Sequence, residues 1–427
     1  MLARCLPAGV CASPDRGGVY NYQMKFTCDI CVIGGGAIGK ATALALAQAG
    51  HDVTLLSPDA AVTAPQDHWD LRVYALNQGA NALLSSLKVW DAMDQARIAP
   101  VDAMAIRGDD AGLGGHLGFD AYGARVGALA WIVEDSNLNQ ALDSALRFAP
   151  GVKRITTTAS ELHIDTNQAI VTLDNGDNVT CSLVVGADGA NSWVRGQADI
   201  HMDYRSYNQN AVVANFECER PHHGTASQWF LSGDGIVALL PLPGNRVSLV
   251  WSAPEHLASQ LLTEPPAALC NRLAQLPGMG LGQLTMLPPA KPRAFPLRLI
   301  RAQSPISNRI ALVGDAAHVV HPLAGHGMNL GFGDIDALIA ALARRDHAAD
   351  CGDARTLCRY ARLRKEEVLM MQLATDGLHR LFSIDLTPVR HLRNVGMGLV
   401  DKLPFLKRRL MSHAFGRATS LPTGESP

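Results

Sequence analysis

The sequence predicts an α/β chain: a Rossmann-like nucleotide-binding domain, an interleaved antiparallel sheet and a helical C-terminal tail. Three observations carry this. A G-x-G-x-x-G turn stands between a β-branched run and an Ala/Leu-rich helical run. Two later apolar strands each end at an Asp beside a Gly, and a middle segment holds short apolar runs broken by Gly, Pro and Asn. With 427 residues, 48% of them hydrophobic, the chain can bury a large core and divide into sub-domains. A net charge of −2 argues against general nucleic-acid binding. The longest apolar runs, such as 236–242, are too short to cross a bilayer, so an intracellular, non-spanning protein is expected. Nine scattered cysteines, an odd number, read as reduced thiols.

Residues 1–23 show no periodicity and mix Pro, Gly, Cys and Arg, which predicts a disordered leader. Met24, directly before the first strand, offers an alternative start, and Arg4 ahead of any acid offers a weaker organelle-targeting reading. Residues 28–39 then give a strand and glycine turn, 40–50 a helix and 52–56 a second strand. In that setting Gly34 permits the tight turn, Gly36 lets the backbone approach a pyrophosphate, and Gly39 lets helix and strand pack closely. Cys28 and Cys31, three apart on a strand, are expected to face opposite sides and to pack in the core. The fingerprint asks for an acid at the end of the second strand, where Ser57 stands. Losing that charge-assisted hydrogen bond is worth about 1.5–3 kcal/mol, part of which a hydroxyl recovers. No second fingerprint occurs, because Gly112-Leu-Gly114 and Gly278-Met-Gly280 lack the third glycine and a preceding strand. One dinucleotide fold serving the whole chain points to a tightly held cofactor.

Further on, residues 70–76 read D-L-R-V-Y-A-L, with Arg72 following the second strand. Residues 183–195 read L-V-V-G-A-D-G-A-N-S-W-V-R, a buried strand ending at Asp188-Gly189 before a short helix. Apolar runs at 211–216, 228–231, 236–240 and 246–251 suggest an antiparallel sheet. A strand at 310–313 stops at Gly314-Asp315, and a helix is expected from near Met328, with Ile335, Leu338, Ile339 and Leu342 at helical spacing. Its first turns are expected to carry Asp334 and Asp336 and its last turn Arg344-Arg345, the charge order that suits a helix dipole. Its free N–H groups at 327–329 make a site for negative charge. Residues 355–382 read as a long polar-faced helix. From Pro388 to Arg417 the tail is both basic and apolar, with seven Lys/Arg against Asp401. Such a segment suits an anionic membrane surface, and equally packing on the domain or on a partner subunit.

Taken together, these segments resemble the single-component flavin monooxygenases built like para-hydroxybenzoate hydroxylase, in which a nucleotide fingerprint, a D-G motif and a G-D motif follow in this order. More narrowly, D-x-R-x-x-A-L, G-A-D-G-A-N-S-x-x-R and G-D-A-A-H-x-x-H-P-L-A-G-x-G-x-N-L-G-x-x-D resemble the ubiquinone-biosynthesis hydroxylase family, over about residues 26–415. The resemblance implies an FAD-binding domain made of 24–75, 126–200 and 301–382, a substrate domain made of 76–125 and 201–300, and a tail at 383–427. FAD would be the cofactor, NADH or NADPH the reductant and O2 the co-substrate. The reaction implied is ring hydroxylation of a polyprenylated phenol or quinol through a flavin C4a-hydroperoxide.

Residue by residue, the resemblance implies that Asp315 accepts hydrogen bonds from ribitol hydroxyls, Asp188 helps hold the pyrophosphate region through water, and Arg72 offsets phosphate charge. Gly325, Gly327, Met328 and Asn329 would lie against the pyrimidine edge of the flavin, where the helix start stabilises negative charge. Pro322 would form a rigid wall near the position where oxygen adds, with His321 and His326 in the same catalytic loop. The family has Gln where this chain has His326, an imidazole of different charge and shape. One face of the middle sheet would line the substrate pocket, with Val213, Asn215, Phe230, Leu240 and Trp251 as candidates. Against these roles, Asp188 and Asp315 also stand where helix caps do, His318 and His321 suit structural roles, and apolar sheet residues suit the core. No metal-ligand cluster or Ser/His/Asp triad is legible, and no two tryptophans form the W-x-W pair of the related halogenases. The partners expected are a small aromatic substrate, no nucleic acid, a membrane touched through 388–417 and a quinone-biosynthesis complex, placing the protein in the cytoplasm at the inner face of a membrane. Two rivals stand: a reductase or dehydrogenase on the same fold, which isotope-labelled O2 would separate, and a degenerate-site scaffold subunit, which bound flavin absorbance would separate.

Overall fold

Short runs rich in Val, Ile and Leu, buried at every position in Ile30–Ile33, Val53–Leu56, Leu183–Gly186 and Ile310–Leu312, form the centre of the sheet to which the first glycine turn belongs. The computed structural model describes residues 10–12, 22–58, 69–108, 115–289, 291–321, 326–383 and 387–402. Strands Val152–Ile155, Val53–Leu56, Ile30–Ile33, Leu183–Gly186 and Ile310–Leu312 lie side by side and parallel, and Ile306–Ser307 closes the edge antiparallel. Continuous apolar strands suit a parallel sheet covered on both faces. Helix Ala37–Gln48 covers one face, and its small side chains let helices Asp135–Arg147 and His326–Ala343 pack directly on it.

The second large sheet has nine strands. Its path runs His318–Val319, Arg293–Ala302, Met202–Cys218, Arg246–Pro254, Gly235–Leu242, Thr225–Leu231, Ala103–Arg107 and His116–Asp120, with Leu284–Met286 paired to Met202–Cys218 off this path. The rear face carries Val212, Phe216, Trp229, Val237, Leu249 and Trp251, which bury themselves against helices Glu255–Thr263 and Pro266–Ala274. The front face presents Ala211, Val213, Ala226, Gln228, Ala238, Leu240 and Val250 towards the parallel-sheet half of the molecule. A smaller sheet of Val73–Leu76, Ala130–Glu134 and Ala99–Val101 stands between the two halves.

Several expectations change here. Val10–Ala12, inside the segment expected to be a disordered leader, pairs antiparallel with Tyr22–Thr27. Cys28 and Cys31 do not face opposite sides: the chain leaves one sheet at Thr27 and joins another at Ile30, so both pack with Cys181 in one buried cluster. Contact with the Cys181 thiol, together with burial, pushes the Cys28 thiol up, which keeps it inert. The helix expected from Met328 begins at His326 and ends at Ala343, so no acid stands in its first turn and no base in its last. The C-terminal segment continues as helices Ala354–Ser383 and Thr387–Lys402, and residues 403–417 of the expected basic tail lie outside the described residues. Arg393 is turned inward, donating to the Leu381 carbonyl at 3.0 Å and to Ser232 Oγ at 3.1 Å, because the second helix packs back on the sheet.

Candidate active site

Three turns at the C-terminal ends of adjacent parallel strands meet at the sheet edge: Gly34–Gly36, Ala187–Gly189 and Val313–Asp315. Their glycines fall into two kinds. A Cβ on Gly34, whose φ is +132°, would lie 2.2 Å from the Ala187 carbonyl oxygen, and one on Gly39 would lie 2.0 Å from the Gly34 oxygen. These two hold backbone against backbone and do not line a cavity. Gly36, Gly189 and Gly327 have nothing within 4 Å of that position, and all three open on one cavity of about 730 Å³. Ligand sites span roughly 300–1,000 Å³.

Arg195 ties two of these turns together. Its guanidinium donates to the Ala316 carbonyl at 2.8 Å and to the Ala190 carbonyl at 2.9 Å. The two aspartates differ. Asp188 accepts from Ser192 Oγ at 2.5 Å and from the Val194 N–H at 3.0 Å, so it holds the start of helix Trp193–Gln197 and does not line the cavity. Asp315 caps nothing and, among the described residues, accepts no side-chain hydrogen bond. Its carboxylate is accessible from the cavity, and protein packed on its other sides raises its pKa against the pull of His318, Arg72 and Arg298.

Arg72 and Arg298 both line the cavity. Asp70 orients the first by accepting from the Arg72 N–H at 3.0 Å and the Ser136 N–H at 3.1 Å, and Asn191 accepts from Arg298 at 3.0 Å. Tyr74 donates to Asp135 at 2.7 Å, and burial with that carboxylate beside it pushes the phenol up. Lys40 lines the same wall with its charge already paired to Asp143 at 2.8 Å. The start of helix His326–Ala343 faces the cavity with Gly327, Met328 and Asn329. Asn329 is fully engaged in holding that start: it donates to the Ala75 carbonyl at 2.8 Å and accepts from the Asn77 N–H at 3.0 Å.

Beneath the helix, buried Asp334 accepts from the Gly314 N–H at 2.8 Å, from His318 at 2.8 Å and from Arg364 at 2.6 Å. Burial alone would raise its pKa, yet the His318 and Arg364 charges hold its carboxyl below the usual value.

Among the proposed pocket residues, Val213 and Leu240 line the cavity, and three others do not. Asn215 donates its amide N–H to the Asp70 carbonyl at 2.8 Å behind the lining. Phe230 is covered by Phe382, stacked with ring centroids 3.8 Å apart. Trp251 belongs to the rear face, its indole donating to the Asp234 carbonyl at 2.8 Å. Ser57 is also absent from the lining: it is buried behind Gly35, where a Cβ would meet its hydroxyl at 1.9 Å. His321 is fully buried, edge-on to Tyr207 and 3.4 Å from Gln209 Oε1, outside the cavity wall. Pro322 and Gly325 lie outside the described residues, as does the side chain of His326. The sequence reading missed Tyr74, Asp135, Gln228, Val250 and Arg298, although taking every second residue from Val213 or Leu240 across paired strands leads to Val250 and Gln228.

The residues fit FAD: three glycine positions left open on one cavity, two guanidiniums for its phosphates and an accessible carboxylate for its hydroxyls. Comparison with known proteins agrees. The profile of the FAD binding domain family matches residues 27–367. Ubiquinone hydroxylase UbiL of Rhodospirillum rubrum is 35% identical, covering 100% of this chain and 97% of that protein. The 3-demethoxyubiquinol 3-hydroxylase of Escherichia coli is 34% identical, covering 91% of this chain and 98% of that protein. Among solved structures, p-nitrophenol 4-monooxygenase PnpA from Pseudomonas putida DLL-E4 superimposes with a TM-score of 0.73 at 19% identity, over 92% of this chain and 100% of that one, a likeness of fold.

Proposed function

The chain belongs to the FAD binding domain family, and on that premise we propose that it hydroxylates the aromatic ring of a polyprenylated phenol or quinol intermediate of ubiquinone biosynthesis. It is an FAD-dependent aromatic monooxygenase, with NADH or NADPH as reductant and O2 as co-substrate. The observation that carries the substrate reading is one cavity with two unlike halves: charged nucleotide loops on one side and an apolar sheet face on the other.

Bound FAD supplies activated oxygen once it is reduced. The chain supplies the rest. Asp315 would accept hydrogen bonds from the ribityl hydroxyls, and Arg72 and Arg298 would offset phosphate charge. The N–H groups at the start of helix His326–Ala343 would favour negative charge on a group bound beside them. Val213, Ala238, Leu240 and Val250 hold the substrate ring and keep water out, which strengthens every charge interaction in the cleft.

No helix among the described residues is long and apolar enough to cross a membrane. Contact of the 388–417 segment with the inner face of a membrane, and membership of a quinone-biosynthesis complex, belong to the same reading. Exposed Leu369, Met370, Leu373, Val395 and Leu399 on the last two helices support an apolar contact there.

The test uses purified protein with NAD(P)H and a polyprenylated phenol. The wild type should carry FAD and yield a hydroxylated ring, and Asp315→Ala should lower flavin content and product together. Normal flavin occupancy in that variant would count against the assigned role.

A further inference from the structure

The front face of the nine-stranded sheet is arranged in cross-strand rows. In the row that crosses the cavity, Val213 stands opposite Val250, Val250 opposite Ala238, and Ala238 opposite Gln228. On the far side Gln228 pairs with Ile106, and in the next row Ala226 pairs with Met104. Every neighbour of Gln228 in these rows is apolar. The glutamine itself is more than nine-tenths buried, lines the cavity and, among the described residues, makes no side-chain hydrogen bond. Its amide N–H and C=O groups are not enclosed by protein but reach the cavity, where a bound group could take the place of water. Phe230, two residues on along the same face, is closed off by Phe382, so the open end of the Gln228 side chain is the cavity.

Building on the ring-hydroxylase reading above, we propose that Gln228 is a specificity-determining residue that takes the oxygen substituent of the substrate ring. A neutral hydroxyl can donate to its carbonyl oxygen while accepting from its NH2, satisfying both halves of the amide. A charged partner would have favoured a phenolate or a ring carboxylate, but the residues on either side of Gln228 in this row, Ala238 and Ile106, and its neighbours Ala226 and Met104 carry no charge, and Arg293, which continues the row beyond Val213, does not line the cavity. The wall therefore selects an uncharged, uncarboxylated phenol or quinol and sets which ring edge faces the flavin.

Binding to the FAD-loaded protein separates this from catalysis. At one fixed detergent concentration, the probes are 2-decylphenol, decylbenzene and 3-decyl-4-hydroxybenzoate, with affinity read by calorimetry. The wild type should bind the phenol about tenfold more tightly than decylbenzene and should disfavour the benzoate. The near-isosteric Gln228→Met should lose the preference for phenol over decylbenzene while keeping its flavin content. Equal binding of phenol and decylbenzene by the wild type would overturn the proposal without any variant, as would an unchanged ratio in Gln228→Met. A preference abolished by Gln228→Met in a protein that incorporates no oxygen would keep this assignment and refute the hydroxylase reading. Hydroxylation with no such preference would do the reverse.

Discussion

Gly34 and Gly36 stand two positions apart in one turn and do different work. Gly34 is required by the fold: a side chain at φ +132° would be strained and would also meet the Ala187 carbonyl at 2.2 Å. Gly36 adopts an ordinary φ of −73° with open space above it, so only a ligand needs it bare. Gly34→Ala should therefore cost at least about 1–3 kcal/mol of stability in the apoprotein, read by urea unfolding. Gly36→Ala should leave that unfolding curve in place and weaken FAD binding by about tenfold or more. Equal destabilisation by both would mean that the fold itself needs Gly36 bare, and an unchanged FAD affinity in Gly36→Ala would mean that no ligand approaches it. These roles were legible in the sequence because spacing within a single turn fixes them. The contrast between Asp188 and Asp315 was not. Each follows a buried strand, and only the position of Ser192 and the Val194 N–H shows that the first is spent on a helix start while the second stays open. Trp251 was misplaced for a related reason. With helices behind the sheet and the cavity in front, both faces are apolar, and alternation loses its power to tell in from out.

At the scale of elements, helix His326–Ala343 is held from three sides so that its start meets the cleft. Asn329 bonds it to the Val73–Leu76 strand, Asp334 bonds it to the Gly314 turn and His318, and Arg364 reaches from helix Ala354–Ser383 to Asp334 and the Leu330 carbonyl. Periodicity revealed the helix but placed Asp334 in its first turns as a charge suiting the dipole; it stands in the third turn, fully enclosed, and its partners come from elements far apart in sequence. Arg364→Met leaves that carboxylate with only part of its compensation and should cost about 3–5 kcal/mol in urea unfolding. The sign with pH follows from the depressed carboxyl. Its contribution is whole above 3.8, the ordinary value, and is lost as pH falls through the lower folded value. In Arg364→Met that loss should begin at higher pH. A variant with unchanged stability and an unchanged acid limb would show that the pair carries no weight.

Across the whole molecule, the cleft is assembled from segments that are distant in the chain and adjacent in space. The parallel sheet contributes three turns at its strand ends, the His326 helix its start, the small central sheet Arg72 and Tyr74, and the large sheet its apolar row. The motifs announced which segments belong to the nucleotide side. They were silent on the sheet side, where a pocket wall differs from a core only in what stands opposite it. On the proposed reading these halves act on a flavin and a ring together. The most direct measurement is turnover of a polyprenylated phenol by the FAD-loaded protein with NAD(P)H under ¹⁸O2. One atom of label is expected in each product ring, with reductant consumed in step. Reductant consumed with no label in the ring would contradict it and leave a flavin reductase in its place.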